Sequence, residues 1–341
     1  MAKPDPIPKF IEMSPDQTSG QRQRAVANPK AASAEMDWVD SFLADRELRP
    51  NTKKAYSRQL RQFQCWLEFK HWANVDEHDL SRYKNYLKEK PTRGGKFGLS
   101  AASINQALAT IQSFFKWLAI RRFINFNPAL TLEMVTLAPP KPKDLEVETV
   151  QQLADGLSYR GQLSVRDTAI LGLLKHGLRA TEVSKANIGD FRDQAIRIED
   201  AKWGSDGIVP LAPDTCRDIE IYLGWCVQQG LDTSSGEPLF RSQSNRSKGQ
   251  RISYRAIYNL VKDLGAIAEI EESVHPHRLR HTFGTQLLLE DVPPEYARKL
   301  MRLKSSQTFE RYAKRAVEKK AEDVFRKTIE NSTSGLFKQK N

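Results

Sequence analysis

The segment Pro139-Pro140-Lys141-Pro142-Lys143 constrains this chain more than any other. Each proline fixes φ and removes a backbone donor, so neither a helix nor an inner strand can run through it. Such a segment acts as a stiff spacer. The 341 residues are therefore expected to fold as two units around residues 139–144, in keeping with about 100–200 residues per domain.

The sequence before the spacer is helical in pattern. Residues 1–34 carry many Pro, Gln, Ser and Ala without apolar period and read as a flexible tail. Met36, Val39 and Leu43 then form a short apolar stripe. Pro50-Asn51-Thr52 opens a helix whose Tyr56, Leu60, Phe63 and Leu67 recur at four, three and four. Asp76 is placed to cap a third helix carrying Leu80, Tyr83 and Leu87. Ser100 is placed to cap a fourth carrying Ile104, Leu108, Ile111, Phe115 and Leu118. No strand pattern precedes residue 120. The loop 91–100 is basic and Gly-rich, and residues 123–128 end the bundle. This predicts an all-α unit over 35–138.

The sequence after the spacer, 145–341, is mixed and mainly helical. Ser164 to Lys175 is an apolar helix closed by Gly177. Residues 195–199 and 207–211 alternate with period two around a turn-rich connection, which predicts a β-hairpin. Helical patterns return at 214–226, 253–269, 278–290, 294–301, 306–315 and 316–329.

Composition narrows the class. Lys+Arg is 53 and Asp+Glu 42, a formal net charge of +11, with a sequence pI of 9.5. Attraction to a polyanion follows, with nucleic acid the first candidate. A hydrophobic content of 39% is too high for wholesale disorder. The richest apolar run, Thr168 to Leu174, stops at Lys175, short of the ~18 residues a membrane span needs. The N-terminus has no apolar signal-peptide core. Cys65, Cys216 and Cys226 have no CxxC spacing, and the six His residues no HExxH pattern. A cytoplasmic protein without metal or cofactor is expected.

Four features could carry chemistry. His277, Arg280 and His281 lie at i, i+3 and i+4 and share one helical face, while Leu279, Phe283 and Leu287 share another. Such a face joins a forked anion donor to groups that move protons near neutral pH. It is equally the pattern of a solvated basic face on a DNA-binding helix. Arg179 follows the helix-ending Gly177, with Glu182 placed to orient it, or the two form an ordinary surface pair. Lys202 lies in the hairpin connection, where most lysines are solvated. Tyr312 lies in a helical stretch, where most tyrosines are packing.

The order Arg179, Lys202, His277-x-x-Arg280-His281, Tyr312 resembles the tyrosine recombinase, or phage integrase, family. HGLRATEV (176–183) resembles its first-arginine turn, and IRIEDAKWGSDGIVPL (196–211) its strand–lysine–strand element. HPHRLRHTFGTQLL (275–288) is similar to its catalytic helix, and SSQTFERYAK (305–314) to its nucleophile segment. NTKKAYSRQLRQFQCWL (51–67) and the stretch INQALATIQSFFKWL…NPA (104–129) resemble its helical core-binding domain. The resemblance covers about 36–330.

It implies a helical, SAM-like core-binding domain and a catalytic domain ending in an interaction helix, closing around duplex DNA. Tyr312 would attack a DNA phosphate, leaving a 3′-phosphotyrosine and a free 5′-hydroxyl. His277 would move the proton. Arg179 and Arg280 would clamp the phosphate oxygens, where many phosphoryl-transfer sites use a metal. Lys202 would protonate the leaving oxygen, with Glu182 and His281 in support. The partners implied are double-stranded DNA and three further copies of the chain, a tetramer on two sites; whether an accessory protein sets direction stays open. One position departs from the family. Leu303 stands where a phosphate donor, His or Trp, is usual, and Arg302 where Gly is. Loss of one such donor typically costs about 10²–10³ in rate. Either activity is slow, or Arg302 substitutes, or the chain is a binding-only protein of the same fold; a type IB topoisomerase, with the same chemistry and no site choice, is the other alternative.

Overall fold

The computed structural model describes residues 38–92, 95, 97–138, 143–199 and 206–337, without the side chains of 307, 308 and 331–337. The predicted tail, most of the spacer and Lys202 lie outside the described residues. The chain divides between Pro140 and Lys141 into two compact units.

The first unit is all-α in its described residues. A helical stretch at 38–44 precedes α1 (Pro50–Trp66), α2 (Glu77–Glu89) and α3 (Ala101–Ile120). Asp76 and Ser100 cap as the sequence implies, whereas α1 starts at Pro50 itself, and its N-cap Arg49 makes no side-chain cap bond. The Asp76 carboxylate accepts from the Asp79 N–H at 2.8 Å, and the Asp79 carboxylate accepts back from the Asp76 N–H at 3.2 Å. The Ser100 hydroxyl accepts from the Ser103 N–H. The apolar stripes meet in an aromatic core of Phe42, Phe63, Trp72, Tyr83, Phe114 and Phe115. Trp72 stands edge-on to Phe114 at 4.9 Å, an arrangement favoured by the ring quadrupoles.

The bundle extends past residue 128. Asn105 donates to the Val135 carbonyl at 2.8 Å and accepts from its N–H at 2.7 Å, and Gln112 donates to the Leu132 carbonyl. Three side-chain bonds thus lay an extended strap along α3, and Ala129 enters the core.

In the second unit, α4 (Val147–Asp155) and a 3₁₀ stretch lead into α5 (Ser164–Lys175). Ala169, Ile170, Leu171, Leu173 and Leu174 are all buried, so α5 is enclosed on every side. It packs on α7 (Pro213–Gln228) and α9 (Pro276–Leu289). Between them come α6 (Ala180–Lys185) and an antiparallel sheet in the order β1 (Phe191–Arg192), β2 (Ala195–Ile198), β3 (Gly207–Pro210). Ile196 pairs with Val209, both facing the core. The predicted hairpin is therefore the larger part of a three-stranded sheet; the two-residue β1 is too short to show a period. Next come α8 (Tyr254–Ile267), α10 (Pro294–Leu300) and α11 (Ser306–Phe337). The sequence divided α11 at residue 316, but Ala313 to Ala316 contain no breaker and the helix runs through. Among the described residues no helix is long and apolar enough to cross a membrane.

Candidate active site

The site begins where α5 stops. Gly177 takes φ +75°, and a Cβ there would stand 2.4 Å from the Phe283 ring on α9, so this turn needs glycine both for its conformation and for its closeness. The turn delivers Leu178 to the core and Arg179 to the N-cap of α6. Glu182, one turn on, accepts from the Arg179 N–H at 2.8 Å through Oε2 and from Arg179 Nη1 at 2.5 Å through Oε1. Its side chain is 5% exposed and that of Arg179 is 23%, so this is no ordinary surface pair. Burial raises the Glu182 carboxyl, but Arg302 and Arg179 outweigh it and hold the group below the usual carboxylate range.

Pro276 opens α9, and His277, Arg280 and His281 share a face as their spacing requires. Arg280 departs from the solvated-face alternative: it is 1% exposed. Its Nη1 donates to the Gly177 carbonyl and its Nη2 to the Met301 carbonyl, stapling the end of α5 to the end of α10. Burial, then repulsion from Arg179, pushes this guanidinium down to about 10, so it stays charged at neutral pH.

The His277 and His281 rings meet edge to face at 4.6 Å, and His281 lies 5.1 Å from the Tyr312 ring. Desolvation and then Arg280 hold His277 well below the ordinary imidazole range; desolvation and then His277 push His281 down to about 3. Both rings are neutral at pH 7, the state that can accept a proton. The unfolded chain takes up those protons near pH 6.5, which the folded chain resists. Their contribution to stability is thus complete above about pH 6.5 and is lost as pH falls toward the folded values. The melting temperature of DNA-free protein should fall between pH 6.5 and 5, with a shallower fall in His281→Gln. Equal slopes for the two proteins would show that His281 does not drive it.

Tyr312, 3% exposed, packs with Met301, Phe309 and Ala316. Gly284 makes room: a Cβ there would meet Met301 at 2.5 Å and the Tyr312 ring at 2.9 Å. Burial raises the phenol, and Arg280, Arg179 and Arg311 work against that rise. Leu303 is half-buried against this apolar group and offers no donor. Arg302 turns inward: it is 7% exposed and its Nη2 donates to Glu182 Oε2 at 2.6 Å.

Arg179, Glu182, His277, Arg280, His281, Arg302 and Tyr312 are therefore brought together from four stretches of chain. Lys202 lies outside the described residues. Sequence reading passed over Tyr254, Tyr258 and His275, which line a cavity of about 200 Å³ with Arg179, His277 and Arg280. The Tyr258 and His275 rings stack at 6.3 Å. His275, two residues before His277, was the available signal; the tyrosines lie on α8 with none.

Comparison with known proteins fits this arrangement. The profile of the phage integrase family matches residues 143–319, and that of the phage integrase N-terminal SAM-like domain matches 36–122. The tyrosine recombinase XerC of Vibrio vulnificus is 29% identical over 267 residues, covering 76% of this chain and 80% of its own length. XerC of Haemophilus ducreyi is 27% identical over 259 residues, covering 73% and 79%. Among solved structures, the XerH site-specific recombinase bound to a palindromic difH substrate superposes with a TM-score of 0.64 at 17% identity, covering 80% of this chain and 79% of that one. A lambda integrase dimer bound to a COC′ core site gives 0.63 at 15%, covering 81% and 94%. These structures share the fold: a helical unit followed by a mainly helical unit with a small sheet. The match of the integrase profile across 143–319, over the same residues that build the site, places the chain in the phage integrase family, the tyrosine recombinases.

Proposed function

We propose that the chain is a site-specific recombinase that cuts and rejoins duplex DNA through a 3′-phosphotyrosine, without ATP. The observation that carries the reading is the convergence of two guanidiniums, Arg179 and Arg280, with neutral His277 and buried Tyr312. In this mechanism the Tyr312 hydroxyl attacks the phosphorus and its proton passes to His277. The bond to the 5′-oxygen breaks, and Lys202, carried on the β2–β3 connection, returns a proton to it. Arg179 and Arg280 stabilise the charge that builds on the non-bridging oxygens. Each Nη of Arg280 that binds a carbonyl keeps a second hydrogen for that purpose.

Lys53, Lys54, Arg58 and Arg61 line one groove on α1 of the first unit, a fitting surface for phosphate contacts that give affinity without sequence information. A cytoplasmic setting suits the three free cysteines. The test is incubation with a nicked duplex carrying the cognate site, selected first from random DNA. A covalent adduct on a denaturing gel, restricted to that site, supports recombinase chemistry. Adduct without site preference would favour a topoisomerase, and none at all a binding-only protein.

Recombination of two sites needs four copies. Val317, Val324 and Phe325 on α11 are each more than 60% exposed, an apolar stripe that suits docking on a neighbouring copy. Truncation after residue 316 should leave binding to a single site intact and block pairing of two sites on a native gel. Unchanged pairing would assign the stripe no role in assembly.

A further inference from the structure

Arg302 stands in a backbone conformation that suits glycine better than arginine. It follows α10 with φ +51°, the left-handed region where a Cβ is strained. A terminal pair of bonds fixes that turn: the Arg302 N–H donates to the Lys299 carbonyl and the Leu303 N–H to the Arg298 carbonyl. None of these uses the side chain, so the turn itself does not call for arginine.

The side chain is nonetheless drawn inside. It is 7% exposed, its stem lies beside Gly207 at the start of β3, and its Nε is buried without a hydrogen-bond partner among the described residues. Its Nη2 rests on Glu182 Oε2 at 2.6 Å, while Glu182 Oε1 holds Arg179 Nη1 at 2.5 Å. One buried carboxylate therefore serves two guanidiniums. The turn strains the backbone at Arg302, and one edge of its buried guanidinium stays unsatisfied.

We infer that Arg302 is a positioning residue for strand cleavage, acting on Arg179 through the carboxylate they share. This rests on the reading of Arg179 as a phosphate clamp. Were Glu182 paired with Arg179 alone, its charge would cancel that of the clamp. Shared with Arg302, the three groups carry a net single positive charge, and the carboxylate is held from both sides. Arg179 is then held in one pose by a carboxylate that it shares with Arg302. The arrangement does not need Arg302 to touch DNA.

Arg302→Gly is the direct test, because glycine fits the left-handed turn and removes the whole side chain without straining the backbone. On the nicked duplex under single-turnover conditions, cleavage should fall by about 10–100-fold on the scale of one lost electrostatic contact. DNA affinity should stay within about twofold, since many other cations hold the duplex. Added guanidinium ion at millimolar levels should restore part of the rate. In an Arg179→Ala background the same change should cost almost nothing further, because an effect exerted through Arg179 is not additive with its removal. Arg302→Gln, which keeps most of the stem but loses the charge that shares Glu182 with Arg179, is measured alongside in case the glycine variant folds poorly, and should cleave more slowly than wild type. Wild-type rates in the folded variants, or losses that multiply with that of Arg179→Ala, would overturn the inference. An active wild type with those results overturns Arg302 alone; a wild type that forms no adduct overturns the recombinase reading and this one together.

Discussion

Tyr312→Phe should abolish the covalent protein–DNA adduct and leave DNA binding at the wild-type level. The substitution deletes one oxygen and keeps the ring, which is what packs against Met301, Phe309 and Ala316 and lies 5.1 Å from His281. The fold therefore has no reason to move. Loss of a nucleophile in a covalent catalyst costs about 10⁴-fold or more, so the adduct should drop below detection on a denaturing gel. The buried phenol is a poor acid, which makes the neighbouring charges of Arg280 and Arg179 part of its activation. Adduct at the wild-type level in Tyr312→Phe would assign the nucleophile elsewhere.

The second large effect is expected for Arg280→Lys. A lysine keeps the charge but has one donor centre, and it cannot span the Gly177 and Met301 carbonyls that Arg280 joins. At least one charge-assisted bond is lost in a fully buried place, and the carbonyl left behind has no water to turn to. Thermal unfolding should report a destabilisation of about 2 kcal/mol or more. Cleavage per bound complex should fall by about 10²–10³, because the clamp loses its forked donor and the turn carrying Arg179 loses its staple. Unchanged melting with slow cleavage would confine Arg280 to phosphate contact. Unchanged cleavage with lower melting would confine it to the staple.

The helices were legible because their signals are local. Asp76 and Ser100 cap the helices they precede, and the four–three spacing of Ile104, Leu108, Ile111 and Phe115 puts those residues in the core. The strap held by Asn105 was not legible: nothing near Val135 announces that its N–H and carbonyl meet a side chain thirty residues earlier. The same holds for β1, whose two residues become a strand only by pairing with β2.

The shared face of His277, Arg280 and His281 follows from helical geometry, and their order with Arg179 and Tyr312 was enough to suggest a family. Sequence alone therefore determined which side chains lie on which face of which helix, because backbone hydrogen bonding repeats every few residues wherever the helix lies. Only the tertiary structure decided how their charges are used. It buried Arg280 between two carbonyls from distant turns, and it placed Arg302 on a carboxylate 120 positions away. An arginine has several rotatable bonds and reaches in many directions, so its partner is set by what the rest of the chain packs beside it and by the high cost of leaving a buried charge unpaired.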